Sequence, residues 1–331
     1  MKLILPVAGY GKRMRPHTWS RPKVLIDVAG KPMLGHVLDQ FEGVGLEEVI
    51  YITGWLGDQI QPYVEENFPQ YRNRFVVQDE LVGQSHAIWL ARELISGPCF
   101  IVFADTIFRI DLEAMSQADA DAVLGVKEVE DPRRFGVAFT RPDGTVERLV
   151  EKPDTMDHKL AILGAYFVRE GRDLVDAIEQ QMQRKQLLKG EFFIADAFNL
   201  MIESGARFVT ELMTEWHDCG VIDAHLNTNS WLLQQGFGNG GRTSARLVDS
   251  RLIPPVWVAD DAVITNSVVG PNVVLEAGCC VSNSTIEDSI VMAGSQVDNS
   301  HLNWVMLGER TVVDSHLGSL NIGDDSIVLS E

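Results

Sequence analysis

Along the first 235 or so positions, apolar residues form short runs separated by stretches in which they recur every three or four residues. The runs at 3–7, 48–52, 75–77, 100–103, 122–126 and 163–167 predict strands. The stretches at 33–42, 57–67, 85–94, 172–182, 193–203 and 224–233 carry the amphipathic spacing of helices. Strands alternating with helices predict an α/β fold with a mixed, mostly parallel sheet and helices on both faces. Ligands of such a sheet gather at the loops after the carboxyl ends of its strands.

The pattern changes after the glycine-rich stretch GFGNGGRTS. Val258, Ile264, Val269, Leu275, Val281, Ile286, Val291, Val297, Leu302, Leu307 and Val313 follow one another at steps of five or six. Ile322 and Val328 resume the rhythm after an irregularity around Leu317. That step suits neither a helical face nor an alternating strand, and it predicts a solenoid with one aliphatic pointing inward from each side of a triangular coil. An antiparallel sandwich would not keep so short a step for so long. The expected organisation is an α/β domain over 1–236, a linker and entry to the solenoid over 237–256, and the solenoid over 257–331.

Composition narrows the function. A formal net charge of −19 disfavours nucleic acid and membrane surfaces, both polyanionic, as partners. The N-terminal apolar run is short and contains Pro6, which does not make a signal peptide, and no stretch reaches the length of a membrane span. Cys99, Cys219, Cys279 and Cys280 lack zinc-ligand spacing, and reduced thiols in a cytoplasmic protein are expected.

Against this acidic background, the first forty residues hold Lys2, Lys12, Arg13, Arg15, Arg21, Lys23 and Lys31 beside only Asp27 and Asp39. Gly9 and Gly11 allow a tight turn and close approach of backbone to ligand. Arg13 and Lys23 can reach the same anion, one as a fork and one as a point charge. A dinucleotide fingerprint would need a third glycine where Met14 stands, and the residues of a P-loop are absent. These residues suggest phosphate, although a loop of merely solvated cations would look the same. Asp105, at the end of the apolar run FIVFAD, and Asp218, in EWHDCG, are carboxylates of the kind a hard cation bridged to phosphates requires. Taken singly, each aspartate also suits a turn or a helix cap.

The ordered motifs AGYGKRMRPHT, PKVL with GKPM, QDELVGQSHA, FADTIF, FGVA, VEKP, GAYF, GEFFIADA and WHDCG resemble the sugar-1-phosphate nucleotidylyltransferases, close to the glucose-1-phosphate thymidylyl- and uridylyltransferases. The likeness spans residues 1 to about 235. It implies a Rossmann-like sheet, and the solenoid looks like the left-handed parallel β-helix of hexapeptide-type repeats attached to several such enzymes. The implied reaction moves a nucleotidyl group from dTTP or UTP to glucose 1-phosphate and releases pyrophosphate. A mannose-1-phosphate guanylyltransferase-like enzyme and a non-catalytic sugar-nucleotide sensor are the alternatives.

Carried onto this chain, the resemblance gives Ala8, Gly9 and Gly11 the loop that cradles the nucleotide. Arg13 and Lys23 take its phosphates, and Gln78 and Gly83 the base edge. Asp105 and Asp218 are assigned Mg²⁺. Gly136, Glu151, Lys152 and Gly164, with Trp216 beside them, are assigned the sugar phosphate. Arg13, Lys23, Asp105, Lys152 and Asp218 form the implied catalytic set. The chain departs from the commonest pattern at Ala8-Gly9, where a glycine pair is usual, at Lys12 and at Ala104. Lys152 precedes Pro153, which predicts an extended backbone there. His301 and His316 are the candidate bases for an acyl transfer that the short solenoid does not otherwise support, and a homo-oligomer is expected from its ends.

Overall fold

A computed structural model describes residues 1–239 and 242–329; Gly240 and Gly241 of the glycine-rich connection lie outside the described residues. The chain forms two compact units, one from residues 1–9 with 37–216, the other from residues 10–36 with the chain from 217 onward.

The first unit is built on a nine-stranded sheet of β1 (Lys2–Pro6), β2 (Glu48–Thr53), β3 (Arg72–Val77), β4 (Cys99–Val102), β5 (Ala122–Glu128), β6 (Gly136–Thr140), β7 (Val146–Glu151), β8 (Leu160–Val168) and β9 (Phe208–Leu212). The order β3-β2-β1-β4 is parallel throughout. Its inner strands are apolar along their length because helices cover both faces: Leu3, Ile4 and Leu5 are fully buried, as are all four residues of β4. β8 then pairs antiparallel with β4, β5 and β6, which joins the hairpin of β6 and β7 to the parallel core.

The helices are α1 (Met33–Asp39), α2 (Ile60–Asn67), α3 (Gln84–Leu90), α4 (Leu112–Gln117), α5 (Gly171–Gln183), α6 (Ile194–Glu203) and α7 (Ile222–Leu232). In the first unit, α3, α5 and α6 pack on one another, and Phe198 of α6 lies in the core with Ile4, Ile101, Leu124, Tyr166 and Phe208. Asn199 of α6 uses its whole carboxamide on one residue of β7, accepting from Leu149 N–H at 2.7 Å and donating to its carbonyl at 2.9 Å.

The second unit contains three all-parallel sheets of six, five and five short strands, the arrangement of a left-handed β-helix of hexapeptide-type repeats. Leu247, Ile264, Val281, Val297, Val313 and Val328 are stacked in register, with partners 15 to 17 residues apart. Two further inward columns run Leu252, Val269, Ile286, Leu302 and Val258, Leu275, Val291, Leu307, Ile322. Leu317 breaks the rhythm because Gly318 takes the inward place opposite Leu302, which leaves Leu317 pointing out and 76% exposed. Asp249, Asn266, Asn283, Asn299 and Ser315 turn one corner in successive coils with positive φ, a region that Asn and Asp tolerate better than most residues.

One outer face of the β-helix is not polar. Trp257, Val274, Ile290, Met306 and Asn321 form an outward column in register, and Val274, Ile290 and Met306 are buried. Segment 10–36 and α7 reach this column. A Cβ on Gly30 would sit 2.2 Å from the Trp257 ring, His17 bonds Asn321, and Asn229 of α7 donates to Asn272 O at 3.3 Å.

Candidate functional site

In the first unit, motifs far apart in sequence are joined by backbone. Gln78 follows β3, and its backbone N–H donates to Thr53 O. Its side chain is 5% exposed, and Nε2 lies 3.4 Å from both Gly83 O and His86 Nδ1. Gly83 has φ +115°, and a Cβ there would meet Phe192 N at 2.4 Å. Phe192 N–H donates to Val82 O, and Ser85 N–H to Phe192 O, so the QDELVGQSHA and GEFFIADA segments clasp each other. Burial holds His86 below its ordinary value against the upward pull of Glu80, which keeps the ring neutral beside Gln78.

The same clasp leads to the other end of this unit's motifs. Lys152 Nζ lies 4.0 Å from the centroid of the Phe193 ring and 3.6 Å from Glu151 Oε1. Glu151 pairs with Gly136 across the β6–β7 hairpin, and a Cβ on Gly136 would lie 2.9 Å from Glu151 Oε2. Burial raises the Glu151 carboxyl, with Lys152 opposing the shift. Lys152 is not extended as its following proline predicts. It has φ +48°, because its N–H closes on Phe135 O at 2.9 Å as the hairpin ends. A lysine held in the left-handed region is strained, and such strain collects where a side chain has to be aimed.

Gly164, with φ +70°, donates its N–H to Tyr166 Oη at 3.1 Å, and its carbonyl accepts from Phe103 N–H at 2.8 Å. That bond sets the turn that carries Ala104 and the half-buried Asp105. Trp216 stacks edge-on against Phe135 at 5.6 Å, and its buried Nε1 has no hydrogen-bond partner among the described residues. Ala8 is buried with its carbonyl against Gly54, whereas Gly9 is exposed with open space where a Cβ would stand.

The second unit holds the cationic segment and the other aspartate. Gly11 turns with φ +59°, and its missing Cβ would touch Thr18 Cγ2 at 2.8 Å and Lys23 Cβ at 3.2 Å. Thr18 Oγ1 donates to Gly11 O at 2.9 Å and latches the turn. Arg13 follows on the single helical turn Lys12–Met14, exposed. Arg13 and Asp218 both border Gly220: a Cβ there would lie 3.0 Å from Arg13 Nη2 and 2.7 Å from Asp218 Oδ1. Asp218 Oδ1 accepts from Gly220 N–H at 2.7 Å, and Thr228 Oγ1 of α7 donates to Asp218 O at 3.0 Å.

The structure thus brings Gln78, Gly83, Gly136, Glu151 and Lys152 into one connected framework of the first unit, and Gly11, Arg13, Lys23 and Asp218 into the second. Asp105 belongs to the first unit and Asp218 to the second. Among the described residues no group of three or more His, Cys, Asp or Glu gathers as a metal site. Thr18, His86 and Gly220 were not singled out from sequence; their one signal is position, inside motifs already marked.

A family model for nucleotidyl transferases matches residues 2–235. Among curated proteins, the chain is 27% identical to a glucose-1-phosphate thymidylyltransferase of Streptomyces griseus, covering 98% of both chains. It is 31% identical to the low-salt glycan biosynthesis nucleotidyltransferase Agl11 of Haloferax volcanii, over 71% of this chain and 66% of that one, so it spans just under two thirds of that relative's length. Among solved structures, a UDP-glucose pyrophosphorylase complexed with UDP-glucose superposes with a TM-score of 0.63 at 22% identity, covering 71% of this chain and 98% of that one, a likeness of fold.

Proposed function

The chain belongs to the nucleotidyl transferase family, and on that premise we propose that it transfers a nucleotidyl group from dTTP or UTP to glucose 1-phosphate, with release of pyrophosphate. The observation that carries this reading is the framework of the first unit, in which the Gln78 segment and the Glu151-Lys152 corner are tied through Phe192 and Phe193. One scaffold therefore offers a base-reading amide and a phosphate-holding ammonium. The full-length likeness to a thymidylyltransferase supports the same substrates.

In this reaction a sugar phosphate oxygen attacks the α-phosphorus, the bond from that phosphorus to the bridging oxygen breaks, and pyrophosphate departs with the electron pair. Both substrates are anions, so the protein's task is alignment and neutralisation. Lys152 holds the attacking phosphate. Its strained backbone and the Glu151 carboxylate leave its ammonium few alternatives. Arg13 and Lys23 take the charge that grows on the leaving pyrophosphate. Trp216 Nε1, buried without a partner among the described residues, is a donor for a sugar or phosphate oxygen.

Gln78 reads the base. With Nε2 turned to Gly83 O and His86 Nδ1, its Oε1 is left to accept, which suits the N3–H of thymine or uracil and not the bare N3 of cytosine. Asp218 fits a hard cation: a half-buried carboxylate whose Oδ1 is fixed by Gly220 N–H still has Oδ2 to offer. Asp105 is the second carboxylate assigned to Mg²⁺, which when bound polarises and neutralises the triphosphate.

The test is pyrophosphate release with dTTP, UTP, GTP, ATP or CTP, each with glucose 1-phosphate and Mg²⁺. Turnover with dTTP or UTP well above CTP is expected. Absence of pyrophosphate with every nucleotide and sugar 1-phosphate would leave only a binding protein.

A further inference from the structure

The last coils of the β-helix carry four contacts with the cationic segment, all within residues 16–21. Gly323 lies flat against Pro16, where a Cβ would meet the ring at 2.9 Å. His17 Nε2 lies 2.6 Å from Asn321 Oδ1; burial holds the ring below its ordinary value, and a carboxamide oxygen only accepts, so Nε2 is the donor. Ser20 Oγ donates to Asp324 Oδ2 at 2.6 Å, and Arg21 Nη2 pairs with Glu309 Oε1, each side chain one quarter exposed. The coil side of these contacts is itself fixed. Asp324 Oδ1 accepts from Glu309 N–H at 2.8 Å, and Glu309 Oε2 accepts from Arg310 Nη1 at 2.6 Å. Ser20, Asp324, Glu309 and Arg21 therefore close a ring of bonds.

Nothing in the assignment of substrates uses this ring, yet its location has a consequence. Thr18, between the anchored His17 and Ser20, is the residue that latches Gly11 O. Lys23, two residues after the anchored Arg21, packs its Cβ where Gly11 lacks one. The turn that aims Arg13 and Lys23 is thus fastened through residues that the coil holds. We infer that Glu309, Asn321 and Asp324 of the β-helix are positioning residues for the nucleotide phosphates, acting through segment 16–21 on Arg13 and Lys23. The inference rests on the function proposed above for Arg13 and Lys23.

The test compares the full-length wild type with Glu309→Gln, Asn321→Ala and Asp324→Asn, with Glu309→Asp as the conservative replacement. Loss of one charge-assisted bond is expected to raise the KM for the nucleoside triphosphate roughly 10-fold in Glu309→Gln, with the KM for sugar 1-phosphate unchanged and partial rescue in Glu309→Asp. Backbone amides within 11–25 should exchange faster with deuterium while those of 150–152 do not. Calorimetric affinity for inorganic pyrophosphate should fall in step, whichever nucleotide the enzyme uses. A wild type that turns over no nucleotide, with pyrophosphate affinity still lowered in the variants, would remove the enzymatic reading and keep the positioning one. Unchanged nucleotide KM and pyrophosphate affinity in folded variants would overturn it, as would equal increases in KM for both substrates. Should Asn321→Ala fail to fold, the near-isosteric Glu309→Gln and Asp324→Asn still decide.

Discussion

The segment 10–23 and the corner at Glu151-Lys152 are the two cationic regions of the proposed site, and they are held in unlike ways. The segment carries Lys12, Arg13, Arg15, Arg21 and Lys23 on a glycine turn and short helical turns, with side-chain bonds to a coil about 300 residues further along the chain. The corner carries one lysine at the end of a hairpin, locked by a backbone bond to Phe135 O and by the register of Glu151 with Gly136. A turn held by side-chain bonds from distant residues depends on support from outside. A strained lysine at a strand end is determined locally and needs none. The contrast predicts that faults in the segment can be caused from the β-helix, whereas faults at the corner cannot.

The largest expected effect falls on the two carboxylates proposed to hold the metal. Asp218→Asn keeps an acceptor for Gly220 N–H and loses the charge, so Mg²⁺-dependent pyrophosphate release should fall about 10²–10³-fold. Asp105→Asn should do the same. Circular dichroism and thermal melting should match the wild type, and wild-type turnover in either variant would take that residue out of the metal's shell.

Next come the cations themselves. Lys152→Ala should lower kcat/KM for the sugar phosphate by about 10- to 100-fold and leave the nucleotide KM within error; Arg13→Ala should show the opposite split. If both variants damaged both substrates equally, the two regions would be one phosphate site rather than two.

A smaller effect separates the two kinds of support. Gly136→Ala places a methyl 2.9 Å from Glu151 Oε2 and from Ile162 Cδ1, so the Glu151 carboxylate beside Lys152 has to shift, and should raise the sugar phosphate KM a few-fold. Gly11→Ala meets the movable Thr18 methyl and also forces φ +59° on an alanine, at about 1 kcal/mol, so its effect should fall on the nucleotide KM. Steady-state kinetics on both substrates distinguishes them.

How far this was legible from sequence depends on whether the cause is local. Strands buried on both faces, such as β4 and β8, read as continuous apolar runs, and the inward columns of the β-helix read as the five-to-six step. The hairpin of β6 and β7 and the strand β9 were not singled out. GVAFT, VERLVE and FVTEL mix apolar with polar residues, as strands with an exposed face must. α4 is a single short stretch, capped by Asp111, that periodicity cannot register. The motifs named most of the residues that the first unit joins, yet not the bonds through which it joins them. The pairing of Arg21 with Glu309 had no sequence signal, since a surface-type charge pair carries no periodicity and its partner lies in another fold pattern. The positive φ of Lys152 ran against the expectation from Pro153, because hairpin closure outweighs the local preference.

The last effect should be invisible in turnover at neutral pH and plain in stability. Near the ring at Arg21, the second unit buries two more carboxyls. Glu276 accepts from Ala293 N–H through Oε2, while its Oε1 has no partner among the described residues. Burial, then the charge of Asp27, pushes the Glu276 carboxyl up to about 8, with Glu309 adding to the shift and Arg21 opposing it. Burial likewise raises Asp27 to about 6, against Arg21 and with Glu309. A folded state that keeps a proton the unfolded chain has released loses stability as pH rises. For Asp27 the loss is complete by about pH 6, and for Glu276 it continues from 4.5 to about 8. His17 and His225, both lowered by burial, oppose this near pH 6.5, where the unfolded chain still protonates them and the folded one does not, and their contribution has faded by about pH 7.5. The wild-type melting temperature should therefore drop between pH 7.5 and 8.5, by less than the slope of one proton, about 1.4 kcal/mol per pH unit. Glu276→Gln should carry a constant cost for its buried amide and show no slope over that range, so that its deficit shrinks as pH rises. A variant with the wild-type slope would place the retained proton on another group.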